Sequence, residues 1–308
     1  MRLPTLRQLQ YLTAVVEEKH FGHAAEKCFV TQSTLSAGIQ DLEQLLEVSL
    51  LERTNRKVLP TPIGEEIASR AQQILSLSED LVDLALSEKN PLSGRIKIGI
   101  IPTISPFLLP KVLPTVRKQL PELEIVLIED QSERLLDQLE SGNIDVAVLA
   151  FPYNTRGLTH REFAKESFWI ALPKNHPLAE KEELKASDLP TNELLLLAEG
   201  HCLREHALSA CQLPASAQRK SVQATSLYTL IEMVASGLGI TLIPDMAVNS
   251  DMVIHSEICL VPLSADNDQA LREIGLVWRP SFRRTATLEQ LAKTFSDALA
   301  DTNYSLRA

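Results

Sequence analysis

Apolar residues recur every three or four positions through residues 5–89, and beyond that point short apolar runs alternate with helical stretches. Leu6, Leu9, Leu12, Ala14, Val15 and Val16 predict a helix over 5–17. A second, short helix follows over 21–27, where Ala24 and Ala25 are small enough for close helix approach. Thr31 is placed to cap a third helix over 32–46, with Leu35, Ile39, Leu42 and Leu46 on its buried face and Gln32, Ser33, Ser36 and Gln40 turned outward. Two helices joined by a brief turn, the second opening on small polar and amide side chains, have the form of a helix-turn-helix. In that motif the first residues of the second helix reach base edges in the major groove, although helix packing alone gives the same apolar spacing.

The segment L-L-E-R-T-N-R-K-V-L-P-T-P-I-G (50–64) predicts a wing-like ribbon whose clustered cations are Arg53, Arg56 and Lys57. They suit phosphate contacts, and a solvated basic loop is the competing interpretation. From Pro62 to about Lys89 a long helix carries Ile63, Ile67, Ala71, Ile74, Leu77, Leu81 and Leu84 at the spacing of a coiled-coil seam. Pairing through it would hold two DNA modules at a fixed separation. N-P-L-S-G (90–94) ends the helix.

After Arg95 the pattern predicts strands at 95–101, 124–129 and 144–150 with helices at 106–119 and 132–140 between them. This order implies a parallel sheet covered on both faces. A second set has strands at 168–172, 194–198, 220–224 and 240–244, a helix after the fourth residue of A-E-G-H-C-L-R-E-H-A-L-S-A-C (198–211), and a helix at 226–236. A strand at 274–278 returns to the first sheet and a helix at 287–300 closes the chain. The expected fold is an all-α N-terminal part followed by an α/β part of two lobes around a cleft. Thr103, Ser105, Ser132 and Cys202 fall at strand ends or helix starts, where such folds bind ligands and where hydroxyls also serve as plain caps.

A length of 308 residues implies two or three domains, and 44% hydrophobic with 23% charged residues is a globular composition. No run approaches the roughly 18 apolar residues of a membrane span, and the start M-R-L-P-T-L lacks a secretory core. The expected location is therefore cytoplasmic and away from membranes, where disulfides are transient rather than structural. A net charge of −10 argues against indiscriminate nucleic-acid binding, and residues 1–60 hold seven Lys and Arg against seven Asp and Glu, a neutral module.

Four cysteines stand at 28, 202, 211 and 259. Cys202 and Cys211, nine residues apart on a helix, would be separated by roughly 13–14 Å of rise, whereas a disulfide needs Cα atoms within about 7 Å. A bond between them requires the helix to come apart. Cys202 lies at the helix start near Arg204, which favours a thiolate, and Cys211 at the opposite end suits a resolving thiol. Two inert core thiols are an equally weighted alternative. A metal site is a third, and His201 and His206 do not converge as an i, i+4 pair would. No metal and no cofactor are expected.

On F-G-H-A-A-E-K (21–27), T-Q-S-T-L-S-A-G-I-Q-D-L-E (31–43), the 50–64 segment and G-L-G-I-T-L-I-P (237–244), the chain resembles the LysR-type transcriptional regulators over nearly its whole length. Within them, I-P-T-I-S-P-F-L-L-P (101–110) and E-G-H-C-L-R (199–204) with Cys211 resemble the hydrogen-peroxide sensors. The resemblance implies a winged helix-turn-helix over 1–60, a linker and dimerisation helix over 61–92 and a two-lobed, periplasmic-binding-protein-like redox domain over 93–308. It implies Cys202 as the peroxide-reactive cysteine and Cys211 as the resolving one, forming a reversible disulfide, with Thr103, Ser132 and His201 around the peroxide. DNA contacts would come from Thr31, Gln32, Ser33, Ser36 and Arg53. The implied partners are promoter DNA, hydrogen peroxide, further copies in a dimer or tetramer, RNA polymerase and a cytosolic thiol reductant. Two departures stand out: Ser132 replaces a threonine, keeping the hydroxyl, and Ser33 replaces a frequent proline. Cys28 and Cys259 also match family cysteines and are expected to be buried thiols. The competing functions are a LysR-type regulator answering an organic effector and a thiol peroxidase, an enzyme that has no use for residues 1–60.

Overall fold

A computed structural model describes residues 3–53, 58–87, 92–211, 224–264 and 271–300. The chain divides into two compact units, one of residues 1–88 with 138–143 and the other of residues 89–137 and 144–308.

The first unit opens with α1 (Leu6–Glu18), α2 (Phe21–Lys27) and α3 (Gln32–Leu46). Each N-terminus is capped by a side chain that satisfies otherwise unpaired N–H groups: Thr5 for α1, the His20 ring for α2 and Thr31 for α3. Leu12, Leu35, Ile39 and Leu42 are fully buried in its core with Ala24, Ala25 and Leu50, and Leu46 packs against that core while half-buried. Gly38 is required here, because a Cβ would lie 2.7 Å from the Tyr11 ring of α1. A two-stranded antiparallel ribbon, β1 (Leu51–Arg53) and β2 (Val58–Pro60), forms the wing. The Arg53 side chain, Arg56 and Lys57 lie outside the described residues.

The long helix α4 (Pro62–Ser87) carries its apolar residues on more than one face. Ala68, Ala71 and Leu75 are buried and Ile67 packs against the same core, whereas Ile63, Ile74, Leu77, Leu81 and Val82 stay exposed. The single seam expected from spacing therefore divides, Ile67 and Ala71 facing the helix-turn-helix and Ile74, Leu77 and Leu81 facing out. The side chain of Leu84 lies outside the described residues.

The second unit begins with β3 (Gly94–Ile100), α5 (Ser105–Gln119), β4 (Leu123–Glu129), α6 (Ser132–Ser141) and β5 (Val146–Phe151). β3 pairs in parallel with both β4 and β5, as the alternation implied. The chain then enters β6 (Thr159–Pro173), much longer than the 168–172 strand expected. Its first half pairs antiparallel with the late strand β9, and its second half pairs with β7 and β8. After α7 (Cys202–Ala210) and α8 (Leu227–Ala235) come β7 (Thr241–Pro244), the short helices α9 (Asp245–Val248) and α10 (Asp251–Ile254), and β8 (Ile258–Pro262). β9 (Leu271–Trp278) returns to lie antiparallel between β5 and β6, and α11 (Thr285–Ala300) closes the chain.

The sheet is therefore mixed rather than wholly parallel, because the crossing strand β9 runs antiparallel to both of its neighbours, β5 and β6. Residues 194–198 form no strand: Leu194 and Leu197 make isolated bridges to Ile240 and Ala224. Of the strand expected at 220–224 only Ala224 lies within the described residues. Among the described residues no helix is long and apolar enough to cross a membrane.

Candidate redox site

Gly200 sets the entry to α7. Its φ of +90° is one an L side chain rarely adopts, and a Cβ there would lie 2.7 Å from Gln131 Oε1. That close approach lets the Gln131 amide donate to His201 Nε2 at 3.1 Å, which holds the ring at the helix start. Burial lowers the His201 pKa, so the imidazole is neutral and its proton sits on Nδ1. Gln131 was not among the residues singled out from sequence, and nothing in its local pattern marks it.

Cys202 is the first residue of α7 and is 2% exposed. Burial raises its thiol pKa, opposed in decreasing order by the Ser132 hydroxyl, the charge of Arg272, and backbone hydrogen bonds from Ala150 and Leu203. The resting sulfur is thus a thiol rather than the thiolate expected from a helix start. Arg204 is not the cation that acts on it. Its guanidinium is turned to the Leu197 carbonyl at 3.5 Å and to Glu205 at 3.6 Å. Ser132 Oγ is buried with no oxygen or nitrogen partner, leaving the sulfur as its neighbour.

Arg272 comes from the crossing strand β9 and is 1% exposed. It stands opposite Glu166 of β6 in the strand register, and its Nε and Nη2 both lie 2.7 Å from Glu166 Oε1. Its Nη1 and Nη2 also donate to Thr103 Oγ1 and to the Thr103 carbonyl, at 3.4 and 3.2 Å. Burial lifts the Glu166 carboxyl above the usual carboxylate range, against the pull of Arg272 and of the Met246 N–H at 2.7 Å. The pair was invisible in the sequence because 106 residues separate its members and only the register of two crossing strands joins them.

Thr103, after β3, Ser132, at the start of α6, and His201 and Cys202, at the start of α7, are all buried. Arg272 links Thr103 to the sulfur by touching the first and acting on the second. Ser105, also buried, is the first residue of α5. Cys211 is the C-cap of α7, also buried, and burial pushes its thiol up to about 12. Both thiols are free. Cys28 and Cys259 are half-buried and free, more open than expected. His206, one turn beyond Cys202, donates from Nε2 to the Pro152 carbonyl at 3.1 Å, so the two histidines of the segment serve different partners. Among the described residues no group of three or more His, Cys, Asp or Glu side chains could hold a metal.

In the first unit, Thr31 Oγ1 accepts from the Thr34 N–H at 3.2 Å and bonds Ser33 Oγ at 2.9 Å. Gln32 and Ser33 are exposed and Ser36 is half-buried.

Residues 6–65 match the bacterial regulatory helix-turn-helix proteins of the lysR family, and residues 89–300 match the LysR substrate binding domain. The chain belongs to the LysR family. This LysR-family transcriptional regulator is 45% identical to the HTH-type transcriptional regulator EstR of Acinetobacter baylyi, over 84% of this chain and 86% of that one. It is 39% identical to a hydrogen peroxide-inducible genes activator of Dickeya chrysanthemi, over 93% of each chain. A full-length OxyR variant from Pseudomonas aeruginosa superposes with a TM-score of 0.78 at 35% identity, covering 96% of this chain and 98% of that one.

Proposed function

We propose that this LysR regulator responds to hydrogen peroxide through Cys202 and Cys211. Two free thiols at the two ends of one helix carry the proposal, the first buried against an otherwise unpartnered Ser132 hydroxyl. Similarity to a hydrogen peroxide-inducible activator supports it. Thr103, Ser132 and His201 hold the peroxide, with Arg272 favouring the thiolate at the moment of attack. The Cys202 sulfur attacks one oxygen, the O–O bond breaks as the S–O bond forms, and the thiol proton leaves with the other oxygen as water. The Cys211 thiol then attacks the sulfenic sulfur, forming the S–S bond and releasing a second water. Residues 203–210 must unwind for this, since an intact helix holds the two ends roughly 13 Å apart. A cytosolic thiol reductant restores the dithiol.

Residues 1–60 act as the DNA-binding part, 61–92 as the pairing helix and 93–308 as the sensor. Thr31, Gln32, Ser33 and Ser36 face the major groove of promoter DNA and Arg53 a phosphate. The exposed Ile74, Leu77 and Leu81 pair two copies, and two dimers form a tetramer that acts on RNA polymerase at the promoter. The test is mass-spectrometric mapping of Cys202–Cys211 before and after a brief peroxide pulse, with DNase footprints alongside. Cys202→Ser is expected to abolish the bond and the footprint change, and Cys211→Ser to stop at the sulfenic acid. A full peroxide-dependent footprint change in Cys202→Ser sinks the mechanism.

A further inference from the structure

His206 is used by neither the peroxide pocket nor the disulfide, yet it sits inside the helix that joins the two cysteines and is 4% exposed. Because the Pro152 carbonyl can only accept, the ring proton is on Nε2 and Nδ1 is bare. Nδ1 is buried with no partner. The Phe168 ring lies 6.4 Å away, centroid to centroid.

The charged groups around this ring come from three elements. Arg272 on β9 opposes a second proton on it. Glu166 on β6 neutralises part of that charge at 2.7 Å. Lys165 and Glu273, themselves paired at 3.4 Å, line a cavity of about 360 Å³ with His206 and Ser209. On α7 itself, Arg204 pairs with Glu205, and His201 at the helix start is held by Gln131. No carboxylate bonds the ring directly among the contacts described. Burial and then Arg272 lower its pKa to about 4.

We infer that His206 makes the redox switch pH-dependent: it must be neutral while α7 is folded, and it takes up a proton when α7 unwinds, so that acid favours the disulfide form. The inference rests on the Cys202–Cys211 disulfide proposed above. Reducing that disulfide with a neutral His206 consumes two electrons and two protons. If His206 is protonated in the disulfide form, refolding of α7 expels that proton, and the net uptake falls to one. Oxidation of dithiothreitol to its cyclic disulfide releases two electrons and two protons. Its exchange with the protein is therefore independent of pH in this range unless a further group such as His206 titrates. One proton changes the equilibrium about tenfold per pH unit, between the ordinary imidazole value of roughly 6.5 and the lowered value in the folded helix.

The full-length protein is equilibrated with fixed ratios of reduced and oxidised dithiothreitol at pH 7 and pH 5, acid-quenched, and the Cys202–Cys211 fraction read by mass spectrometry. The ratio of disulfide to dithiol is expected to be about twentyfold higher at pH 5 than at pH 7. His206→Gln, whose amide still donates to the Pro152 carbonyl but does not titrate, is expected to lose most of that factor. A second measurement follows the His206 ring by NMR in the unsubstituted protein. It should titrate near the ordinary imidazole value in the disulfide form and stay neutral down to about pH 5 in the dithiol form. A disulfide that forms with the same ratio at both pH values overturns the inference alone, as does an unchanged slope in His206→Gln or one common ring titration in both forms. Absence of any Cys202–Cys211 bond at either pH overturns the redox proposal and this inference together.

Discussion

The two units bury different kinds of side chain. Around the helix-turn-helix the buried residues are apolar, from Leu9, Leu12 and Val15 to Leu35, Ile39 and Leu42, and the polar work is done at helix ends by exposed caps. The regulatory unit buries Glu166, His201, Arg204, His206, Arg272, Arg279 and Arg284. Burying charge costs several kcal/mol per ion unless it is paired and fully hydrogen-bonded, so such groups weaken a fold whose partners are removed. The first unit rests on packing, which tolerates small changes of shape. The second depends on polar partners that must all be present, and several of them, Glu166, Arg272, Arg204 and His206, lie on the crossing strands and α7.

The largest expected consequence is at Arg272. Replacing it by Leu leaves the Glu166 carboxylate buried beside the Met246 N–H alone, and is expected to destabilise the regulatory unit by about 3–5 kcal/mol. Glu166→Leu combined with Arg272→Leu removes both charges and should cost much less. Both tryptophans, Trp169 and Trp278, lie on β6 and β9, so their fluorescence in urea reports this unit and not the helix-turn-helix. A double variant no more stable than Arg272→Leu would show that packing, rather than the unpaired carboxylate, sets the cost.

A smaller effect follows from pH. His206 has its pKa lowered to about 4 by burial and by Arg272, so between the ordinary value near 6.5 and that value the unfolded chain binds a proton that the folded chain refuses. Stability from this group is complete above pH 6.5 and is lost as pH falls, by about 3 kcal/mol over the whole interval. His201, also lowered by burial, acts in the same direction. The comparison of the wild-type chain with His206→Gln in urea at pH 7 and pH 5 isolates the His206 share, and Trp fluorescence should show a smaller loss in the variant. An equal loss in both proteins would assign the acid sensitivity to other groups.

The difference between the units also explains what sequence could reveal. Helix periodicity and caps are local, and so Thr31, the core face of α3 and the β3 to β5 alternation were legible from spacing alone. Strand ends and helix starts marked Thr103, Ser132 and Cys202 as candidates, and resemblance added His201 and the peroxide roles of all four. What escaped was non-local. Arg272 and Glu166 meet only because the long strand β6 lies beside β9 in a register that sets them opposite each other, and neither residue stands in a motif. Arg204 was the nearer cation in sequence, yet its helical position turns it to the Leu197 carbonyl. The protonation of Cys202 escaped for a related reason: a helix start favours the thiolate, but the depth of burial, which sequence does not give, outweighs it. Periodicity likewise marked the apolar residues of α4 without saying which face each would serve.

The smallest effect belongs to the cap of α3, and it tests whether the two units are energetically separate. Thr31 Oγ1 accepts the Thr34 N–H at 3.2 Å and is joined to the Ser33 and Thr34 hydroxyls at 2.9 and 2.8 Å. Thr31→Ala removes the acceptor for one otherwise unpaired N–H and is expected to cost about 1 kcal/mol in the helix-turn-helix unit. Thr31→Ser keeps the hydroxyl and should keep most of that stability. Amide hydrogen exchange in the first turn of α3 should quicken in the alanine variant, while the urea midpoint seen by Trp169 and Trp278 stays where it was. That midpoint is the decisive reading, because the hydrogen bonds described for the Thr31 hydroxyl go to Ser33 and Thr34 of the same helix. If it moved with Thr31→Ala and returned with Thr31→Ser, the division into a packing-held unit and a charge-held unit would be structural only, and the two would unfold as one.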